Sequence, residues 1–294
     1  MQFDRKETAA FGRAFVALPT LGGLLLAGTL LFWAVPLVER LPSDFSAELT
    51  LRSHTQFRQS TSAPWDDFLQ LGRRTDHVLS FSNGAAVMQA GIAWSDEKGR
   101  QVYRTSGIYG VDPDSRRNLA GLGNRSRTGQ FMLPPYFDQT TFVIWDPYYS
   151  GPRDAAYVRD EKSGGLPVRI YRFVAKDLDE TEAYSFIPGV PSRYRVITQG
   201  EGQMTVEPVS GLIVDFTDRG RDSFVDRESG RNAGDFITWD ATYSDNTRAA
   251  QRQRAMEQRR IIMAFRDWAP LISIGGGILW TSILLWRLRC TAPA

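Results

Sequence analysis

Two histidines, His54 and His77, and one cysteine, Cys290, are the entire supply of imidazole and thiol in this chain. Both histidines fall in strand-like segments and neither in an apolar run, so membrane helices could not ligate haem or chlorophyll through imidazole, and no His/Cys metal cluster can form. No Gly-x-Ser-x-Gly elbow, P-loop or dinucleotide fingerprint occurs. A lone cysteine forms no intrachain disulfide, which leaves the redox compartment open. The densest set of ligating atoms is Asp215, Asp218, Asp222, Asp226 and Glu228, whose oxygens could recruit Ca²⁺. Their spacing is not that of an EF-hand loop, and Arg219, Arg221, Arg227 and Arg231 are interleaved with them, as in a solvated hairpin with cross-strand ion pairs. The residues therefore predict no catalytic constellation, no cofactor and no metal. Were the chain an envelope enzyme, Asp and Glu would be the plausible acid or base groups.

The elements that would hold these residues are mostly strands. Apolar and polar residues alternate over 46–56, and the same texture returns at 77–81, 85–94, 101–105, 140–145, 167–174, 193–198, 203–206, 212–216 and 235–239. Four connections, 94–99, 145–151, 206–211 and 225–230, run from a β-former or Trp through an acidic or polar residue to Gly. Each reads as a hairpin closed by a glycine at positive φ. The glycine-rich stretch 107–129 lacks a sustained period and is predicted to be a long surface loop. The fold class is thus a mainly antiparallel β domain, a meander or half-barrel, flanked by two transmembrane α-helices.

Residues 15–38 and 268–286 carry no charge and are each long enough to cross a hydrocarbon layer of roughly 30 Å. The first exceeds the ~7 to 15 apolar residues of a signal peptide and is followed by no Ala-x-Ala site, so it reads as a retained anchor. Residues 41–247 hold 28 Asp/Glu against 23 Lys/Arg, while the positive excess lies beside the apolar runs. A basic face for nucleic acid is absent. Arg5, Lys6 and Arg13 precede the first helix and only Arg40 closely follows it, which predicts cytoplasmic termini. The resulting plan is a tail at 1–14, a helix at 15–38, an exoplasmic β-rich domain at 39–247, an Arg-rich juxtamembrane helix at 248–267, a second membrane helix at 268–286 and a tail at 287–294. Absence of Gly and Pro from 247–269 predicts one helix of some 40 residues, roughly 60 Å long, so its outer half must stand in or above the headgroups. Arg252, Arg259, Arg260 and Arg266 recur at steps of about seven and could meet lipid phosphates or an acidic partner. Gly23 and Ala27 in one anchor, and Ser273, Gly277 and Thr281 in the other, offer small-residue faces for close helix packing.

The run 142–215 resembles the PorA-like (porin PorA) family of two-helix membrane proteins. The resemblance rests on Trp145-Asp-Pro, on Gly165-Leu-Pro-Val-Arg-Ile-Tyr-Arg-Phe173 and on Met204-Thr-Val-Glu-Pro-Val-Ser-Gly-Leu-Ile-Val-Asp215. It implies an outer domain between an N-terminal and a C-terminal helix, and the family's name implies a pore. The strand, Glu-Pro-x-x-Gly turn, strand pattern is also similar to that of curved half-barrels that carry lipids, an analogy of fold alone.

These readings lead to a non-enzymatic accessory or scaffold subunit of a bacterial or archaeal cytoplasmic membrane. Its partners would be other integral membrane proteins and lipid headgroups, with a photosynthetic reaction-centre or light-harvesting assembly as one setting. The alternative is an envelope protein that handles lipid or glycolipid.

Overall fold

A computed structural model describes residues 5–290, with side chains from residue 16 onward. Residues 1–4 and 291–294, parts of the two expected tails, lie outside the described residues, as do the side chains of Arg5, Lys6 and Arg13. The chain divides into two compact units, Leu41–Met256 and the remainder.

In the first unit, eleven strands form one antiparallel sheet: β1 (Ser46–Phe57), β2 (Asp66–Ser82), β3 (Ala85–Asp96), β4 (Gln101–Val111), β5 (Asn118–Gly123), β6 (Thr141–Ile144), β7 (Arg153–Ser163), β8 (Leu166–Asp179), β9 (Tyr194–Val206), β10 (Ile213–Asp226) and β11 (Asn232–Tyr243). Their order, β5-β4-β3-β2-β1-β11-β10-β9-β8-β7-β6, is that of two meanders joined where the first strand pairs with the last. Gln130 makes an isolated bridge to Arg117 beside β5 and another to Ile144 of β6, so it touches both margins of the sheet.

Period-two alternation sets the two faces. In β1, Leu49, Leu51, Ser53, Thr55 and Phe57 point in while Glu48, Thr50, Arg52, His54 and Gln56 point out. In β10 the inward set is Phe216, Asp218, Asp222 and Phe224. The core is aromatic: Phe173, Phe216 and Tyr243 stack in sequence, and Phe224 stacks on Phe236 at 4.0 Å. Burying each such ring contributes roughly 1.5–3 kcal/mol. On the other side of the sheet, Leu166, Val168, Ile170 and Val214 are covered by Ala255 of a helix that begins at Asp245. That helix is capped by Ser244, whose hydroxyl accepts from the Thr247 N–H at 3.2 Å.

Three of the four expected hairpins have the glycine in the left-handed region: Gly99 (φ 78°), Gly211 (φ 74°) and Gly230 (φ 68°). The fourth differs, because Gly151 does not adopt positive φ and residues 145–152 fold inward as a longer connection between β6 and β7. The predicted loop 107–129 is instead largely paired, contributing the end of β4 and all of β5. Its glycines permit close strand approach: a Cβ on Gly110 would lie 2.2 Å from the Leu122 side chain, and one on Gly123 2.2 Å from the Ile108 carbonyl.

The second unit pairs α1 (Arg5–Thr29) and α2 (Val35–Glu39) with the end of α3 (Asp245–Met263) and α4 (Ala269–Cys290). The segments Val16–Glu39 and Asp245–Cys290 are long and apolar enough to cross a membrane. Each is interrupted by a π-helical turn, Leu30–Ala34 and Ala264–Trp268, closed by hydrogen bonds from Val35 to Leu30 and from Ala269 to Ala264. A proline follows each turn two residues on, at Pro36 and Pro270. Proline lacks an N–H and crowds the carbonyl four residues back, and a widened turn relieves both problems. Helix α4 continues past residue 286 to Cys290.

Candidate functional site

Inside the β-unit lies a small chamber of about 40 Å³, room for roughly two or three waters. Its walls come from distant parts of the chain. Strands β9 and β10 supply Thr198, Asp218 and Asp222, strand β4 supplies Tyr103, and the connection 145–152 supplies Tyr148 and Tyr149. The segment 180–193 between β8 and β9 adds Glu180 and Tyr184. Two tryptophans complete it by covering glycines: Trp94 packs where a Cβ on Gly72 would sit, and Trp239 where one on Gly220 would sit.

The three chamber carboxyls are fully or almost fully buried, Glu180 at 0%, Asp222 at 1% and Asp218 at 8% exposure. Each accepts a hydrogen bond from a phenol. Tyr103 donates to Glu180 at 3.1 Å, Tyr149 to Asp218 at 2.7 Å, and Tyr184 to Asp222. Glu180 also accepts from the Ser150 N–H at 2.7 Å, and Asp222 from the Thr198 hydroxyl. Burial pushes the carboxyls up, to about 7 for Glu180, about 6 for Asp218 and about 8 for Asp222, against the pull of those donors. Like-charge neighbours add to the rise at Asp222, where Glu180 and Asp218 both act.

Beside the chamber, a second buried group is charge-balanced. Arg74 donates to Asp76 at 2.7 Å and to Asp146 at 3.0 Å, and Arg153 completes the chain by donating to the other oxygen of Asp146. Arg74 lies 4.6 Å over the Tyr148 ring, and Arg153 4.8 Å over Phe173 and 5.0 Å over Tyr149. Two cations therefore meet two carboxylates here, whereas among the described residues no cation hydrogen-bonds to the three chamber carboxyls. Among the described residues, no group of three His, Cys, Asp or Glu is placed to hold a metal ion.

The acidic cluster read from sequence is divided between the two faces. Asp218 and Asp222 point in, Arg219 pairs outward with Glu201, Arg221 lies 3.8 Å from Asp235, and Asp226 accepts from Ser229 in its turn. His54 pairs with Asp67 on the outer face at 2.9 Å. The small-residue faces meet each other: a Cβ on Gly23 would lie 2.4 Å from the Ser273 carbonyl, and one on Gly277 2.6 Å from the Pro19 carbonyl. Ala27 is 3% exposed, and the Thr20 and Thr281 hydroxyls are 2.8 Å apart. The arginines are dispersed. Arg252 donates to the Ser163 hydroxyl at 3.0 Å within the β-unit, whereas Arg266 pairs with Glu39 at 2.8 Å in the helical unit, where Arg260 is exposed and Arg259 half-buried.

The chamber residues were missed as a set because pairing across the whole sheet assembles them. One signal was present: in Phe216-Thr-Asp-Arg-Gly-Arg-Asp-Ser-Phe224 the period of two puts both aspartates on the face of the two phenylalanines. A family model described as Porin PorA matches residues 121–286, more than half of the chain. No curated protein matches it.

Proposed function

Because this chain belongs to the porin PorA family, we propose that it is a membrane protein of the non-enzymatic, accessory kind, whose β-unit binds or stabilises a larger membrane complex. The observation that carries this reading is the filled interior of the β-unit. Its inward face is occupied by rings such as Tyr171, Phe173, Phe216 and Tyr243, and the chamber of about 40 Å³ leaves no room for an acyl chain. Contacts with other molecules then belong to the outside. The outer face of β8–β11 is rich in exposed charge, with Arg172 and Arg219 both paired to Glu201 above a surface groove of about 410 Å³. In this reading both termini are cytoplasmic and the β-unit is exoplasmic, on the periplasmic side of a bacterial or archaeal inner membrane.

Lipid headgroups are the second class of contact, reached by Arg259, Arg260 and Arg266 of the helical unit. Arg252 takes a different role, since its bond to Ser163 makes it part of the β-unit. Mild detergent solubilisation followed by native mass spectrometry tests the proposal. A defined membrane partner should travel with the full chain, and the Arg259→Gln, Arg260→Gln variant should lose partner or anionic lipid while the β-unit stays folded. A chain that migrates alone, free of both, overturns it. A photosynthetic assembly is one setting in which the partner could be sought.

A further inference from the structure

We propose that the segment 180–193 is a cap on the chamber, held shut while the carboxyls of Glu180 and Asp222 carry protons and released when both ionise. The segment lies between β8 and β9 and belongs to no strand. Six side chains seat it, among them Ala183 in the apolar core and Thr181, whose hydroxyl accepts from the Val196 N–H at 3.0 Å. Ile187 and Val190 are buried in the apolar core, whereas Glu180 and Tyr184 reach the chamber. Tyr184 packs edge-on against Tyr103 and Phe236, both at 5.2 Å, and its hydroxyl meets Asp222. Glu180 ties the base of the cap to β4 through Tyr103 and to the neighbouring connection through the Ser150 N–H.

The charges around these carboxyls explain why ionisation would act on the cap. Asp222 faces Thr198 from β9, Tyr184 from the cap, Glu180, and Asp218 on its own strand. Glu180 faces Tyr103 from β4, Ser150 from the 145–152 connection, and Arg153 from β7. Asp218 faces Tyr149, Arg153, Trp239 of β11 and Asp146. Arg74 and Asp76 of β2 stand behind Tyr148. The cations in this list, Arg74 and Arg153, hydrogen-bond to Asp76 and Asp146, and Arg153 favours charge on Glu180 and Asp218 but not on Asp222. A negative charge on Asp222 would thus be uncompensated and need water, because burying an unpaired charge is costly.

Water can be admitted most easily where the wall is weakest. The strands are locked by their ladders, and the connection 145–152 is pinned by Asp146 to two arginines. The ion pairs of the cap, such as Arg125 with Glu182, are at its exposed surface and do not depend on the chamber. Its inner hold consists of Ala183, Ile187 and Val190 in the core, of Thr181, which accepts from the Val196 N–H at 3.0 Å, and of the titrating Glu180 and of Tyr184, whose partner Asp222 titrates. The β-unit would then be closed in a mildly acidic environment and open at its cap in an alkaline one. This holds whatever partner the outer face takes.

Hydrogen exchange of the full chain in detergent micelles, from pH 5 to pH 9 and corrected for the intrinsic pH dependence of exchange, tests the device. Peptides covering 180–193 should lose protection by about tenfold or more between pH 6 and pH 9, since one unit of linked titration corresponds to a factor of ten, while peptides from β1 and β11 hold theirs. The double variant Glu180→Gln, Asp222→Asn should keep the cap protected throughout. If that variant does not fold, Asp222→Asn alone should move the loss of protection to higher pH. Constant cap protection in the native chain, or an unchanged loss in a folded variant, overturns the proposal.

Discussion

At the scale of single residues, Asp146 has the widest reach. Its two oxygens serve Arg74 and Arg153, both almost wholly buried, and removing it would leave Arg153 without its carboxylate and Arg74 with Asp76 alone. Asp146→Ala should destabilise the β-unit by about 3–5 kcal/mol, read from denaturant unfolding of the full chain in detergent, and a loss within error of zero would mean that the arginines find other partners. The chamber carboxyls give the unit an unusual acid dependence. Their folded values of about 7, 6 and 8 lie above those of an unfolded chain, so the native state holds more protons between roughly pH 4 and pH 8. Stability from this source is present in full below the unfolded values and is lost as pH rises through the folded ones. Asp96, Asp179 and Glu201 have the opposite sign, being held low by backbone and arginine donors, and lose their contribution only as pH falls below about 4. A thermal midpoint higher at pH 5 than at pH 8 is the expected balance. The reverse order would mean that the chamber is hydrated in the native state.

At the scale of elements, turns and helix faces carry the information that the sequence made legible. Strands with clear alternation were visible, as were the glycine turns, because both depend on neighbours a few positions apart. The first half of β2, and β5 and β7, were not. β7 reads Arg-Asp-Ala-Ala-Tyr-Val-Arg-Asp-Glu-Lys-Ser and is mostly exposed, so no apolar face announces it, and only its pairing with β8 makes it a strand. Gly211 shows how much one turn position can hold. Its φ is 74°, and a Cβ there would lie 2.4 Å from the carbonyls of Leu133 and Pro134. Gly211→Val should cost more than the ~1 kcal/mol of a strained φ alone, and an unchanged melting temperature would remove Gly211 from that contact. The helix pair offers an internal control. Gly277→Leu would drive a side chain into the backbone of α1, whereas a Cβ at Gly276 meets nothing within 4 Å, which makes Gly276→Leu the control. The first should weaken the pair by about 1–3 kcal/mol in detergent unfolding while the second has little effect, and equal behaviour would count against the observed packing.

At the scale of the whole molecule, the two apolar helices and the β-unit were readable from charge and hydropathy, since a lipid-crossing segment must announce itself in composition. The interior was not readable, because strands β2, β4, β7 and β10 meet there only after eleven strands have paired. Orientation across the membrane is open to a direct test, for Cys290 is exposed and is the sole cysteine. With both termini cytoplasmic, Cys290 should resist an impermeant maleimide in intact cells, and Cys introduced at the exposed Ser62 in a Cys290→Ser background should react. Labelling in the opposite pattern would invert the topology.

The pairing of β1 with β11 also fixes an order of events during synthesis. Each meander consists of neighbours in sequence and can assemble as soon as its strands leave the ribosome, but the seam joins Leu51 to Tyr243 and Phe57 to Ile237. Contacts so remote in sequence are slow to close. Until β11 has emerged, β1 and β10 each present a bare row of amides and carbonyls, the kind of margin on which chains aggregate. A nascent chain interrupted between β10 and β11 would thus hold two half-sheets with exposed sticky borders, and the last strand to be made is the one that removes both.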